Sequence, residues 1–167
     1  MNPVYLWRRL CTPSDTQWNK EQQRQADTLC LFTFLAFLVG CYSLIKWSNH
    51  DHPLLILTSL LLISVEILAA LSLKITQNSS IALNLGFVGM SVHALNIIYQ
   101  SGGVVESTQT YWVPLLVIAF FLSGTRTIAF AWSLLVILSA TVMTHWHLSG
   151  HHFPQLMLSD SALSVEI

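Results

Sequence analysis

The chain has 167 residues, of which 53% are hydrophobic and 9% charged, with mean hydropathy +0.59 and formal net charge −1. That composition lies outside the range of soluble domains and marks a polytopic membrane protein built as one all-α helical bundle. The net charge argues against a nucleic-acid partner, whose phosphates call for clustered Lys and Arg. The cysteines Cys11, Cys30 and Cys41 read as small packing residues rather than a secreted disulfide framework.

Residues 1–27 form a mixed N-terminal segment with no signal-peptide pattern. Within it, Val4-Tyr5-Leu6-Trp7-Arg8-Arg9-Leu10 suits either a membrane surface, aromatics at the headgroups and arginines toward phosphate, or a solvated tail. A helical bundle is predicted over 28–147. Its first span is Thr28 to Trp47, close to the ~20 residues that cross ~30 Å of hydrocarbon, with Lys46-Trp47 as an anchor. The second runs from Pro53, which suits a helix start, to Leu73, with Lys74 at its end. The third, Ile81 to Tyr99, carries Asn84, Gly86, Gly89, Ser91, His93 and Asn96, and its small residues place it inside the bundle.

A polar, glycine-bearing loop follows, Tyr99 to Pro114, and it is the longest connection able to face outward. The apolar run after it, Tyr111 to Leu122, makes only ~18 Å of helix. Either the helix begins near Glu106 to Thr108 and kinks at Pro114, or the glycine loop dips into the bundle to meet a short helix. Ser123-Gly124-Thr125-Arg126 then turns into a fifth span, Thr127 to about Trp146. Residues 148–167 form a polar tail.

Five spans with a cytoplasmic N-terminus put Arg8, Arg9, Lys20, Arg24, Lys74 and Arg126 inside and only Lys46 outside, as the positive-inside rule asks. The C-terminus then falls outside. If the polar loop senses something outside, its signal has to reach the cytoplasm, so a sixth span and an output domain are expected to be missing from this chain, which reads as a fragment.

Six of the seven histidines fall on the predicted outer side: His50, His52, His145, His147, His151 and His152. Imidazole is the commonest side-chain ligand of zinc and copper, so these residues are candidate metal ligands. The same residues also suit the interface as amphipathic side chains, or a pH-sensing role. Glu66 and His93 lie within spans, where an ionisable group is a functional candidate by default, at depths of ~10 Å and ~18 Å from the inner ends. They are read either as a pair that relays a proton or holds a polar ligand, or as packing residues bonded to Asn96, Ser91 or Ser64. No phosphate loop, nucleophile elbow, zinc-protease helix or kinase catalytic set occurs, so catalysis by these residues is not expected.

Ser101-Gly102-Gly103-Val104 with Ser107, Tyr111-Trp112-Val113-Pro114 and the later Gly124-Thr125-Arg126 and Ala131-Trp132 resemble the N-terminal six-helix membrane region of bacterial sensor histidine kinases, which in related form precedes some diguanylate cyclases. The resemblance covers residues 28–150. Thr108 stands where that region has proline, and a single Arg126 replaces a dibasic turn. The resemblance implies a sensory input module of the bacterial inner membrane, homodimeric, responding to a small-molecule or ionic stimulus. Kinase or cyclase activity would reside in a C-terminal domain. Ser101, Gly102, Gly103, Glu106, Trp112 and Pro114, with Glu66 and His93, are the candidate ligand-sensing residues. The alternative is a small transporter or metal-handling membrane protein that uses the outer histidines.

Overall fold

A computed structural model of the chain describes residues 3–12 and 20–155, with the side chains of residues 3–5 and 21 excepted. The predicted surface role of Val4 and Tyr5 and most of the predicted polar tail, residues 156–167, therefore lie outside the described residues. Seven α-helices occur in chain order among those residues: α1 Pro3–Cys11, α2 Lys20–Asn49, α3 Pro53–Thr76, α4 Ser79–Gln100, α5 Gly103–Glu106, α6 Trp112–Ser123 and α7 Arg126–Leu148. A 3-10 turn, Thr108–Tyr111, leads into α6.

Four of these helices, α2, α3, α4 and α7, are long and apolar enough to cross a membrane. The apolar run expected between the third span and the last, now α6, is shorter. The 3-10 turn of four residues and the twelve of α6 reach about 26 Å at roughly 2.0 and 1.5 Å per residue, just under the hydrocarbon thickness. The chain is kept short there because its preceding residues turn aside into α5 instead of extending α6.

Local chemistry sets the helix limits. Pro53 occupies the first turn of α3, where a missing N–H costs nothing. Between α3 and α4, Gln77 takes a left-handed conformation (φ 53°), and the Asn78 side chain accepts from the backbone N–H of Ser80 at 3.0 Å and of Ile81 at 3.4 Å. The Lys46 ammonium lies 4.5 Å from the Trp47 ring centroid, joining charge and aromatic at the end of α2.

The helices run up and down. Leu62 and Ile63 of α3 meet Gly40 of α2, and further along α3 Leu62 and Val65 meet Gly89 of α4 and Glu66 meets Gly86. α6 returns antiparallel to α4, with the Phe120 ring tilted against that of Phe87 at 4.4 Å, and Trp132 of α7 donates to Asn84 at 2.8 Å. α4 is the innermost span, with 56% of its most apolar window buried, whereas α7 buries 22% and presents Phe130, Leu134, Leu138 and Val142 outward. Small residues at the contacts and large aliphatic ones on the rim are what lipid demands, since only close packing distinguishes a neighbouring helix from acyl chains. This alternation collects Arg8, Arg9, Lys20, Arg24, Lys74 and Arg126 at one end of the bundle and Lys46 and the six outer histidines at the other.

α1 is a docked helix and not a solvated tail. Trp7 and Cys11, one turn apart, are both buried, and the Trp7 indole donates to Thr33 of α2 at 3.1 Å. Arg8 pairs with Asp27 at 2.9 Å on the exposed side.

A Cβ at Gly40 would stand 2.8 Å from Cγ1 of Ile63. Gly40→Val is therefore expected to destabilise the α2–α3 contact by about 1–3 kcal/mol, the usual cost of overpacking. Leu57→Val, on a residue 60% exposed at the rim, should change little. Thermal unfolding of the two variants in detergent checks this, and equal midpoints would contradict the packing.

Candidate functional site

Polar side chains gather in two places: within the bundle, and at its histidine-rich end. The first begins with His93, 3% exposed in the middle of α4. Its Nε2 lies 3.0 Å from the Ser43 hydroxyl of α2, and its Nδ1 lies 3.3 Å from the Thr58 hydroxyl of α3. Thr58 also receives the Asn96 amide at 3.1 Å and is placed to donate to the Leu55 carbonyl at 3.3 Å. With the Thr58 proton used in that way, Nδ1–H is the donor to Thr58 and Nε2 accepts from Ser43. Three helices are thus tied at one level by a fully bonded imidazole. A cavity of about 30 Å³, the volume of one water, lies beside it, lined by His93, Ala36, Val39, Leu62, Met90 and Trp112 among others.

Glu66 is separate. It is fully buried on α3, eight residues or about 12 Å of helix from Thr58. Its two oxygens lie 3.2 and 3.6 Å from where a Cβ at Gly86 would stand, and neither has a hydrogen-bond partner among the described residues. Of the two readings of these residues, the pair is not formed by direct contact: His93 bonds Ser43 and Thr58, and Glu66 has no partner among the described residues. The alternative partners are also replaced: Ser64 donates to the Leu60 carbonyl, Ser91 is unbonded, and His93 takes Ser43 and Thr58.

At the other site, the loop after α4 is folded rather than open. Ser101 donates to the Ile97 carbonyl at 2.7 Å and its hydroxyl touches that of Ser107. Ser107 in turn accepts from the Gln109 N–H at 2.9 Å, capping the 3-10 turn. Gly102 and Gly103 have φ of +105° and +73°, a region that L side chains disfavour. Ser101, Gly102, Gly103 and Ser107 are all buried, while Glu106 is exposed.

Two of them, Ser101 and Gly103, are met by the chain beyond α7. Gly150 (φ +86°) turns residues 151–155 back over the loop, where Ser101 and Gln155 form an antiparallel bridge. A Cβ at Gly103 would stand 2.7 Å from the Phe153 ring, which packs edge-on against Tyr99 at 5.2 Å and is 6% exposed. The Gln155 amide donates to Glu106 at 2.6 Å, and His147 Nε2 lies 4.0 Å from the other Glu106 oxygen. His147 and His151 flank Phe153, with ring centroids at 6.5 and 4.9 Å. Residues 151–155 thus form a strap, held by one aromatic anchor and one carboxamide–carboxylate hydrogen bond.

Of the sequence-predicted residues, the structure brings Ser101, Gly102, Gly103, Glu106, His147 and His151 together. Trp112 turns inward to the cavity beside His93, and Pro114 lies on the exposed face of α6. His50 and His52 sit at the α2–α3 turn with their rings stacked 6.4 Å apart, His145 lines a groove between α6 and α7, and His152 is exposed. Among the described residues, no three His, Cys, Asp or Glu side chains converge as a ligand set. Phe153, Gln155, Ser43 and Thr58 were not anticipated. Phe153-Pro154 following Gly150 is the sequence signal that could have found the strap. No family model matches the chain, and neither does any curated protein or solved structure.

Gly103→Ala combines a disfavoured φ with a collision against Phe153, so it is expected to release the strap without unfolding the bundle. Hydrogen exchange in lipid nanodiscs reads this directly: protection of the backbone around Phe153 and Gln155 should fall by roughly tenfold, the effect of losing about 1.4 kcal/mol. Protection in α3 and α4 should hold.

Proposed function

We propose that the chain is a membrane-embedded sensory input module of a bacterial signal-transduction protein, belonging to the class represented by sensor histidine kinases. In this reading α6 completes five crossings, the arginine- and lysine-rich end faces the cytoplasm of an inner membrane, and the loop with its strap faces outward. Two such modules pair side by side, and the output chemistry belongs to a domain beyond this chain, a kinase or, as the second choice, a diguanylate cyclase.

The observation that carries this reading is the contact between the glycine loop and the strap. The strap is the segment by which the chain leaves α7, so whatever loosens or tightens its grip on Gly103 and Glu106 also shifts the residues that follow. A stimulus acts through such a device only if it binds the gripped and released states unequally. The hydroxyls, carboxylate and imidazole at this end offer polar contacts for a small molecule or ion, and the strap's modest hold leaves both states within reach. The metal-handling alternative is less well supported, because the outer histidines lie at three separate places on the bundle.

The test uses the gene at its own locus. Gly103→Val is expected to alter the same set of transcripts that deletion alters, or to drive them in the opposite direction, while membrane abundance stays unchanged. A wild-type transcript profile in cells whose variant has demonstrably lost strap protection would overturn the sensory reading. Alkaline phosphatase fusions settle orientation: activity is expected after His50 and none after Gln77.

A further inference from the structure

We propose that Cys11 and Cys30 form a dithiol site that closes to a reversible disulfide on oxidation by a hydroperoxide. This inference is independent of the sensory reading, since it concerns the opposite end of the bundle.

The two residues come together because α1 docks on α2 in one register. Trp7 and Cys11 are four residues apart on one face of α1, and Cys30 and Thr33 are three apart on one face of α2. The Trp7 indole is bonded to Thr33, and its ring packs on Phe34 at 5.7 Å and Phe37 at 4.8 Å, so the α1 face is held firmly. That leaves the Cys11 and Cys30 side chains within hydrogen-bonding reach of each other, with Thr33 as a second partner of Cys11. Both are free thiols, and both belong to the same buried cluster.

Three features make this a reactive pair and not only a packed one. The hydrogen bond from Cys30, with a smaller one from Thr33, outweighs burial and lowers the Cys11 thiol from its ordinary value, which favours the nucleophilic thiolate. A groove of about 300 Å³, lined by Trp7, Arg8, Asp27, Cys30, Leu31 and Phe34, opens onto Cys30 and brings a small oxidant to the edge of the pair, with Cys11 fully buried behind it. The third cysteine, Cys41, lies eleven residues further along α2, about 16 Å away, and cannot compete.

The chemistry balances with a hydroperoxide as the oxidant. One sulfur attacks the peroxide and becomes a sulfenic acid as the O–O bond breaks and one water or alcohol leaves. The second thiol then displaces water from that sulfur. Overall two S–H bonds and one O–O bond are lost, one S–S bond and two O–H bonds are formed, and two electrons and both thiol protons pass to the peroxide oxygens. The product ties α1 covalently to the first span, and a thiol reductant reverses it.

The experiment takes purified, reduced full chain in nanodiscs, treats it with hydrogen peroxide, quenches with catalase, and alkylates remaining thiols under denaturing conditions before peptide mass spectrometry. The expected result is a Cys11–Cys30 cross-linked peptide within one chain, Cys41 still alkylated, and full recovery of both thiols by dithiothreitol. In Cys11→Ser the Cys30 thiol should be lost roughly tenfold more slowly, as its partner's proximity no longer contributes. The wild-type readout needs no variant, so misfolding of the mutant cannot mask the answer. Peroxide that leaves Cys11 and Cys30 as fully alkylated as Cys41, or that links cysteines between chains instead, would overturn the proposal.

Discussion

The close approach of α3 to α4 is the constraint on which the rest of the molecule depends. Gly86 and Gly89 carry no side chain where Glu66, Leu62 and Val65 press in, and a Cβ at either glycine would stand 3.2 Å from its nearest neighbour. In lipid no hydrophobic force draws helices together, so contact surface of this kind has to supply the attraction. With α4 pinned against α3, its other sides become available to α2, α6 and α7. Phe87 then meets Phe32, Phe120 and Trp132 in one aromatic cluster.

The same pinning sets the chemistry of the polar residues. His93 is brought level with Ser43 and Thr58, and each ring nitrogen finds a hydroxyl, so a costly buried group becomes a link among three helices. Glu66 receives no such partner. Among the described residues both of its oxygens are buried without a partner, a condition shared by the Trp47 indole and the Ser91 and Ser133 hydroxyls, but costlier for a carboxyl group.

The two ends of the bundle are built on different principles. At the basic end, α1 lies against α2 through a buried indole, a thiol pair and an exposed ion pair, so a second helix supports the entry of the first span. At the histidine-rich end, irregular backbone sits under a strap of a few residues, and its hold rests on Phe153 and Gln155. Few contacts hold a segment loosely, and loosely held segments are the ones that respond. Gly103 illustrates how function and packing can be confused: a glycine in a polar loop suggests a ligand's close approach, and here the approaching group is the chain's own aromatic ring.

The helices themselves were legible in the sequence. Apolar runs of spanning length, Pro53 at a helix start and the Gly-Thr-Arg turn each act within a few residues, so the α3, α4 and α7 limits lie within three positions of expectation. The interior placement of α4 followed from its small residues, and the gathering of basic residues at one end from counting crossings. The tertiary structure alone decided which polar groups meet. Ser43 and His93 are fifty residues apart, Glu106 and Gln155 forty-nine, and Trp7 and Thr33 twenty-six, and none carries a local mark of its partner. Helix formation depends on hydrogen bonds four residues long, which sequence displays, whereas the register between helices is a compromise among all their contacts at once and exists only when they are packed.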